Sequence, residues 1–408
     1  MKYIKRQMED SIIEASKQFP VVMVCGQRQT GKSTMLRHIT EKDRRYVSFD
    51  DAKTRELAFN DPQLFFEIFG KKLLIDEFQR VPSILLEIKH IVDNEAYEGR
   101  DNSGMFWLSG SQKFLMMKKV SESLAGRVAI FNLLPMSQRE INETISKPFY
   151  PEINALKNRE FKPETMVKCF ENIFKGGMPA LFSKNDMNRD LYYSSYMNTY
   201  IERDISSLEQ VGKLDEFRTF VTYIAANTAQ ELNYNSISKA VGVSVPTVKE
   251  WITILERSGI IYILRPYCSN ISKRLVKTPK VYFIDTGLAS YLTSWPNAET
   301  LMNGNSSGAF LETFVVGEIL KGYCNCGIEP ALYYYRDVDK KEIDLIMAGA
   351  GWICPIEIKK AKQPSNPTKN FTVLNKFKCE IKPGIILCMC NELFPISRKS
   401  WLCPIGLI

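Results

Sequence analysis

The chain has 408 residues, 45% of them apolar, and 54 Lys and Arg against 46 Asp and Glu give it a net charge of +8. That length exceeds what one core usually supports, so two or three domains are expected, and the apolar content argues against widespread disorder. No apolar run approaches the ~18 residues that cross a bilayer, Met1-Lys2-Tyr3-Ile4-Lys5-Arg6 lacks the apolar stretch of a leader peptide, and the expectation is a cytoplasmic protein without a membrane role whose mild basicity permits a nucleic-acid partner.

The first predicted strand, Val21-Val22-Met23-Val24-Cys25, runs into Gly26-Gln27-Arg28-Gln29-Thr30-Gly31-Lys32-Ser33, and a helical stretch opens at Lys32. This is the pattern G-x-x-x-x-G-K-[ST] in the strand-to-helix context its chemistry needs. The glycines let the backbone turn its N–H groups toward phosphates, and the helix presents its positive end. Gly26 through Thr34 are therefore the expected nucleotide-binding residues, with ATP and Mg²⁺ as ligands. Lys32 is expected at the outer phosphates and Ser33 on the metal.

Further along, Lys71-Lys72-Leu73-Leu74-Ile75-Asp76-Glu77 is an apolar strand ending in two carboxylates. Asp76 is the expected second metal group, acting through water, and Glu77 the residue that orients and activates an attacking water. Hydrolysis, beyond binding, is the expectation.

With both motifs in place the sequence resembles the AAA+ ATPase superfamily, in particular prokaryotic predicted ATPases that carry a C-terminal domain of unknown function related to restriction-endonuclease-like folds. Further segments carry the likeness. Phe106-Trp107-Leu108-Ser109-Gly110-Ser111 is similar to the sensor 1 strand, which implies that Ser109 and Ser111 meet the γ-phosphate or the water. Ser123-Leu124-Ala125-Gly126-Arg127-Val128 and Leu133-Leu134-Pro135-Met136-Ser137 resemble two further family segments, and the first implies an arginine-finger role for Arg127. Such a finger serves a neighbouring protomer, so a homo-oligomer is implied. Gly176-Gly177-Met178-Pro179 and Tyr200-Ile201-Glu202-Arg203-Asp204-Ile205 also match, and Arg203 is a candidate for sensor 2.

The fold class expected is α/β, in three blocks. Residues 1–210 read as the P-loop ATPase domain, with core strands at Val21 to Cys25, Tyr46 to Phe49, Leu73 to Ile75, Met105 to Leu108 and Val128 to Leu133. A helical tract from Ser137 to about Ile205 is expected as a lid over the nucleotide.

Residues 211–296 look like a winged helix. Phe217, Phe220, Val221, Ile224 and Ala225 fall at helical spacing, Ser236 to Val241 is a short helix, Gly242 the turn, and Ser244 the cap of a helix reaching about Ser258. Between Ser258 and Ile284 the charged residues are Arg265, Lys273, Arg274, Lys277 and Lys280, all basic. A basic wing of this kind suits DNA phosphates. The exposed face of the helix, with Thr247, Lys249 and Glu250, offers little for reading bases.

Residues 306–408 look like a PD-(D/E)XK nuclease core, a restriction-endonuclease-like α/β domain. The resemblance implies Asp344 and Glu357 as metal ligands on successive strands, Lys359 as the residue that positions water, and Glu312 on the preceding helix as a further ligand. Seven of the ten cysteines lie between Cys324 and Cys403, yet no C-x-x-C occurs and His38 and His90 are distant, so neither zinc nor disulfides are expected. The reading is an ATPase coupled to nucleic acid through the two C-terminal modules. A nucleotide-gated switch on protein partners, with a non-catalytic C-terminal domain, is the alternative.

Overall fold

The computed structural model describes residues 2–110, 120, 122–144, 147–184, 186–200, 214–268 and 278–408. Five strands, β1 (Val21–Cys25), β2 (Arg45–Ser48), β3 (Leu73–Asp76), β4 (Phe106–Gly110) and β5 (Val128–Asn132), form one sheet in the order β2-β3-β4-β1-β5. Every pairing is parallel. Strands alternate with helices, so both faces of the central strands are covered, and β1, β3 and β4 are buried along their whole length. Alternate residues of β1 enter separate cores: Val21, Met23 and Cys25 on one face, Val22 and Val24 on the other. Four expected strands differ from the observed ones by a residue or two at an end, where ladder bonds and apolar pattern part company.

The tract expected as a lid behaves differently. Phe170 and Ile173 of the helix Met166–Lys175, and Tyr193, Tyr196 and Tyr200 of the helix Arg189–Tyr200, join a core that continues through the C-terminal half of the chain to Leu407. Their apolar faces pack with that half rather than with the two cores of the parallel sheet.

Three helices, Leu214–Ala226, Tyr234–Val241 and Val245–Arg257, precede the antiparallel strands β7 (Ile261–Leu264) and β8 (Lys280–Phe283). A short β6 (Gln230–Glu231) pairs with β8, giving the order β6-β8-β7. Asn233 and Ser244 cap the second and third helices, and Gly242 at φ 78° supplies the left-handed turn between them.

The C-terminal unit opens with the helix Ser307–Cys324. Its sheet has β9 (Leu332–Arg336), β10 (Glu342–Gly349) and β11 (Trp352–Lys359) antiparallel in succession. Short β12 (Glu380–Ile381) pairs with the start of β11, while β13 (Gly384–Cys388) runs parallel to β11 and β15 (Ser400–Pro404) parallel to β13. β14 (Phe394–Ser397) closes the edge in antiparallel sense. Among the described residues, no helix is long and apolar enough to cross a membrane.

Candidate nucleotide-binding site

After Cys25 the chain must fold back over the end of β1 before the helix Lys32–Ile39 begins. Glycine is required twice. Gly26, at φ 147°, lies so close to the exit of β5 that a Cβ there would sit 2.2 Å from the Leu133 carbonyl oxygen, and Gly31, at φ 88°, is the left-handed residue that launches the helix. Lys32 is buried, and its ammonium donates to the carbonyls of Gly26 and Gln27 at 3.0 and 2.7 Å. Burial pulls it down to about 8, against the pull of Glu77, Cys25 and Asp76. An ammonium held by loop carbonyls at a helix N-terminus is placed to exchange them for phosphate oxygens.

Four neighbouring segments converge on one carboxylate. Asp76 Oδ1 accepts from Ser33 Oγ at 2.9 Å, from the Ser109 hydroxyl and from the Glu77 N–H at 3.1 Å, and Oδ2 accepts from the Tyr46 hydroxyl at 3.0 Å. The pair Ser33 and Asp76 is an oxygen donor set of the kind that suits Mg²⁺. Glu77 follows at φ 53°, ψ 39°, a left-handed conformation that a non-glycine residue adopts at a cost of about 1 kcal/mol or more. Its carboxylate accepts from the Gln79 amide. Burial, with Asp76 adding to it, raises Glu77 above the ordinary carboxylate range.

The residues present fit a magnesium nucleotide: Lys32 for the outer phosphates, Ser33 and Asp76 for the metal. Gln27 points the same way, being 2% exposed with both side-chain amide atoms unpartnered among the described residues. Ser109, expected at the γ-phosphate, is turned to Asp76 and fully buried. Ser111 and Arg203 lie outside the described residues.

Arg127 is not brought to this site. It precedes β5, and its carbonyl accepts from the N–H of Val21 at the start of β1, so it stands at the end of the sheet opposite the phosphate loop. There its guanidinium bonds Asp93 Oδ1 at 2.5 Å.

Sequence reasoning missed Arg6 and Tyr46. Arg6 is 3% exposed and donates to the carbonyls of Thr30 and Leu134, each at 2.8 Å, and to Glu140 Oε1 at 2.9 Å. Glu140, fully buried, also accepts the N–H groups of Gln7 and Ser137. The phosphate loop is thereby braced against the segment after β5. The spacing of Ser137 and Glu140, a capping box in the structure, was the one local signal of this network.

The second polar cluster lies in the C-terminal unit. Lys359 Nζ bonds Asp344 Oδ2 at 3.1 Å and Glu357 Oε2 at 2.5 Å, and the Ile358 N–H donates to Asp344 Oδ2 at 2.8 Å. Burial opposes the Lys359 charge, but Asp344 and Glu357 outweigh it and hold the ammonium above its ordinary range. Burial, with Asp344 adding to it, raises both Glu312 and Glu357.

Glu312 accepts from Lys280 Nζ at 3.0 Å and from the Tyr282 hydroxyl at 2.6 Å. Lys280, counted among the basic residues around the wing, is 3% exposed and also pairs with Glu342 at 2.5 Å, because the alternation of β8 points it into the junction with the C-terminal helix and β10. Among the described residues no group of three or more His, Cys, Asp or Glu side chains is arranged to hold a metal. Lys273, Arg274 and Lys277 lie outside the described residues.

A parallel sheet in the order β2-β3-β4-β1-β5, with a phosphate loop after β1 and paired carboxylates at the end of β3, defines a P-loop ATPase domain. Residues 18–142 match the family model of an AAA domain, and residues 167–299 and 307–408 each match a domain of unknown function. The first unit is thus a P-loop ATPase of AAA type. The chain is similar to an uncharacterized protein of Mycobacterium tuberculosis, 26% identical over 85% of this chain and 71% of that one. It is also similar to an uncharacterized protein of Methanocaldococcus jannaschii, 20% identical over 85% of this chain and 76% of that one. Among solved structures, a Walker-type ATPase of Pyrococcus abyssi is 14% identical, covering 70% of this chain and 94% of its own, with a TM-score of 0.40. The Cdc6p structure from Pyrobaculum aerophilum is 12% identical, with coverages of 70% and 91% and a TM-score of 0.25.

Proposed function

We propose that this chain hydrolyses ATP and couples the nucleotide state to nucleic-acid binding by its C-terminal half. The observation that carries the reading is the convergence of Lys32, Ser33, Asp76 and Glu77 at the ends of β1 and β3. Lys32 would hold the outer phosphates, and Ser33 with Asp76 would hold Mg²⁺, which supplies charge neutralisation at the transferred phosphoryl group. Glu77, with its raised proton affinity, takes the proton of the attacking water. Arg6 keeps the loop at a fixed distance from the segment after β5.

In this reading the unit from Leu214 to Phe283 is a winged helix and the final unit a nuclease-like domain, of the order helix, β9-β10-β11 meander, then parallel β13 and β15. The Lys359 ammonium already balances Asp344 and Glu357, which favours a nuclease-like fold used for binding rather than for cutting. Burial of Lys280 lends weight to the second reading, a nucleotide-gated switch on protein partners, since it removes one phosphate contact from the wing. The test is ATP turnover by the full chain with Mg²⁺, alone and with duplex DNA, single-stranded DNA or RNA. Stimulation by nucleic acid is the expected result. Turnover indifferent to all three, with no measurable binding, would favour the switch.

A further inference from the structure

The segment from Lys359 to Lys382 carries seven lysines and one acidic residue, Glu380, in a chain whose charges otherwise nearly balance. It is not a free tail. Phe371, Leu374 and Phe377 seat it on the apolar face of the C-terminal sheet against Tyr335, Ile343 and Ile346, and the Asn370 side chain donates to the Glu342 carbonyl at 2.7 Å. The lysines are therefore carried by an anchored segment. Lys362, Lys369, Lys376 and Lys378 are exposed. The side chains of Lys362, Lys369 and Lys378 have no ion pair or hydrogen bond among the described residues. Lys5, Lys17, Lys72 and Lys168, also exposed, each have an acidic partner instead.

Position adds to the argument. Glu342 lies at the end of β10 where β11 ends in Lys359, so the stretch around Lys362 and Lys369 rims the sheet end that carries Asp344, Glu357 and Lys359. Phe377 packs edge-on against Tyr267, ring centroids 5.0 Å apart, and Tyr267 stands just before the basic connection between β7 and β8. The neighbouring β9–β10 turn contributes no net charge, with Asp337 and Asp339 against Lys340 and Lys341. Exposed, unpaired ammonium groups on an anchored segment suit a regularly charged polyanion.

We propose that this lysine-bearing segment, rather than the helix Val245–Arg257, is the main site at which a nucleic-acid phosphate backbone binds the chain, a proposal that rests on the nucleic-acid reading above. Each lysine that meets a duplex phosphate releases counterions, so log Kobs falls against log salt by about 0.9 per contact. The experiment compares the full chain with the triple variant Lys362→Gln, Lys369→Gln, Lys378→Gln, and with a control of equal charge loss at exposed, unpaired lysines, Lys42→Gln, Lys53→Gln, Lys184→Gln, on duplex DNA over a salt series. The side chains replaced in either variant have no ion pair or hydrogen bond among the described residues, so the fold should persist, which thermal melting checks. The expected result is a salt slope lower by roughly 2 to 3 and affinity at least ~10-fold weaker in the first variant, with the control close to wild type. Wild-type binding that the first variant leaves unchanged overturns the proposal while the nucleic-acid reading stands. No binding by wild type to duplex DNA, single-stranded DNA or RNA in any nucleotide state overturns both.

Discussion

The Tyr46 hydroxyl donates to Asp76 Oδ2 at 3.0 Å from the adjacent strand, while Ser33 takes the other oxygen at 2.9 Å, so the carboxylate is fixed from both ends before any metal arrives. Arg37, on the helix that follows the phosphate loop, lies over the Tyr46 ring at 4.6 Å and steadies it. In the proposed reading Tyr46 is a positioning residue that would act on a bound metal through Asp76.

Tyr46→Phe keeps the ring and removes only that hydrogen bond, which is partly open to solvent. A loss of about 1 kcal/mol in holding the carboxylate is expected, or roughly fivefold. It should be read as a higher Mg²⁺ concentration for half-maximal turnover, with kcat nearly restored at saturating Mg²⁺. A drop in kcat that excess Mg²⁺ does not relieve would place Tyr46 in the chemistry itself.

Lys32→Ala should abolish turnover and greatly weaken ATP binding, because it removes the ammonium at the outer phosphates. Glu77→Gln should bind ATP and fail to hydrolyse it. The raised proton affinity of Glu77 also sets a pH dependence. A base must be unprotonated to act, so turnover falls as pH drops through its pKa, and burial beside Asp76 moves that acid limb above the ordinary glutamate value. The pH profile of kcat/KM checks the direction, and a limb at the ordinary value would show that burial does not govern the group.

The nucleotide site was legible because its parts are contiguous: a strand, a glycine turn and a lysine within one stretch, and an apolar run ending in Asp76 and Glu77. Arg6, Tyr46 and Lys280 were not, since their partners Glu140, Asp76 and Glu312 lie 134, 30 and 32 residues away and share no local pattern with them. The burial of Lys280 has a physical reason. A basic stretch between two strands suggests solvent, yet one step of strand alternation turns a lysine into a core when carboxylates from another element wait there. The tyrosines of the helix Arg189–Tyr200 are buried with the C-terminal half, and the sequence does not say which of two neighbouring cores will take them.

The buried pair Arg6 and Glu140 predicts a stability effect with its own signature. Removing either side leaves the other charge buried and uncompensated, so Arg6→Ala and Glu140→Ala should each cost about 3–5 kcal/mol. The double variant should cost much less than the sum, because the same interaction is lost only once. Urea or guanidinium unfolding of the singles and the double checks this. Additive losses would mean that the carbonyls of Thr30 and Leu134, rather than Glu140, account for the role of Arg6.

In the C-terminal unit, Lys359 balances Asp344 and Glu357. Incubation with DNA or RNA and either Mg²⁺ or Mn²⁺ should therefore give no cleavage above that of an Asp344→Ala control, while both proteins keep full ATP turnover. Cleavage by wild type that Asp344→Ala and Lys359→Ala both abolish would reverse the reading, and the lysine would then be the residue that positions water.

Arg127 stands at the opposite end of the sheet from its own phosphate loop, bonded to Asp93 at 2.5 Å. From there it has no route to the nucleotide of the same chain, so a catalytic part for it requires a neighbouring protomer. Arg127→Ala should bind ATP normally and hydrolyse it at least ~10³-fold more slowly. Mixed with Lys32→Ala, which cannot bind the phosphates but carries an intact arginine, it should regain part of its turnover, because an intact loop then meets an intact finger. Asp93→Ala separates the two roles of the guanidinium. If the arginine acts across an interface, losing its resting partner should leave turnover largely intact, whereas a purely structural pair would make Asp93→Ala and Arg127→Ala equivalent in every assay. Full activity in Arg127→Ala would leave the pair as a surface tie between the sheet and the helix Ile84–Tyr97, and the finger would have to be sought elsewhere.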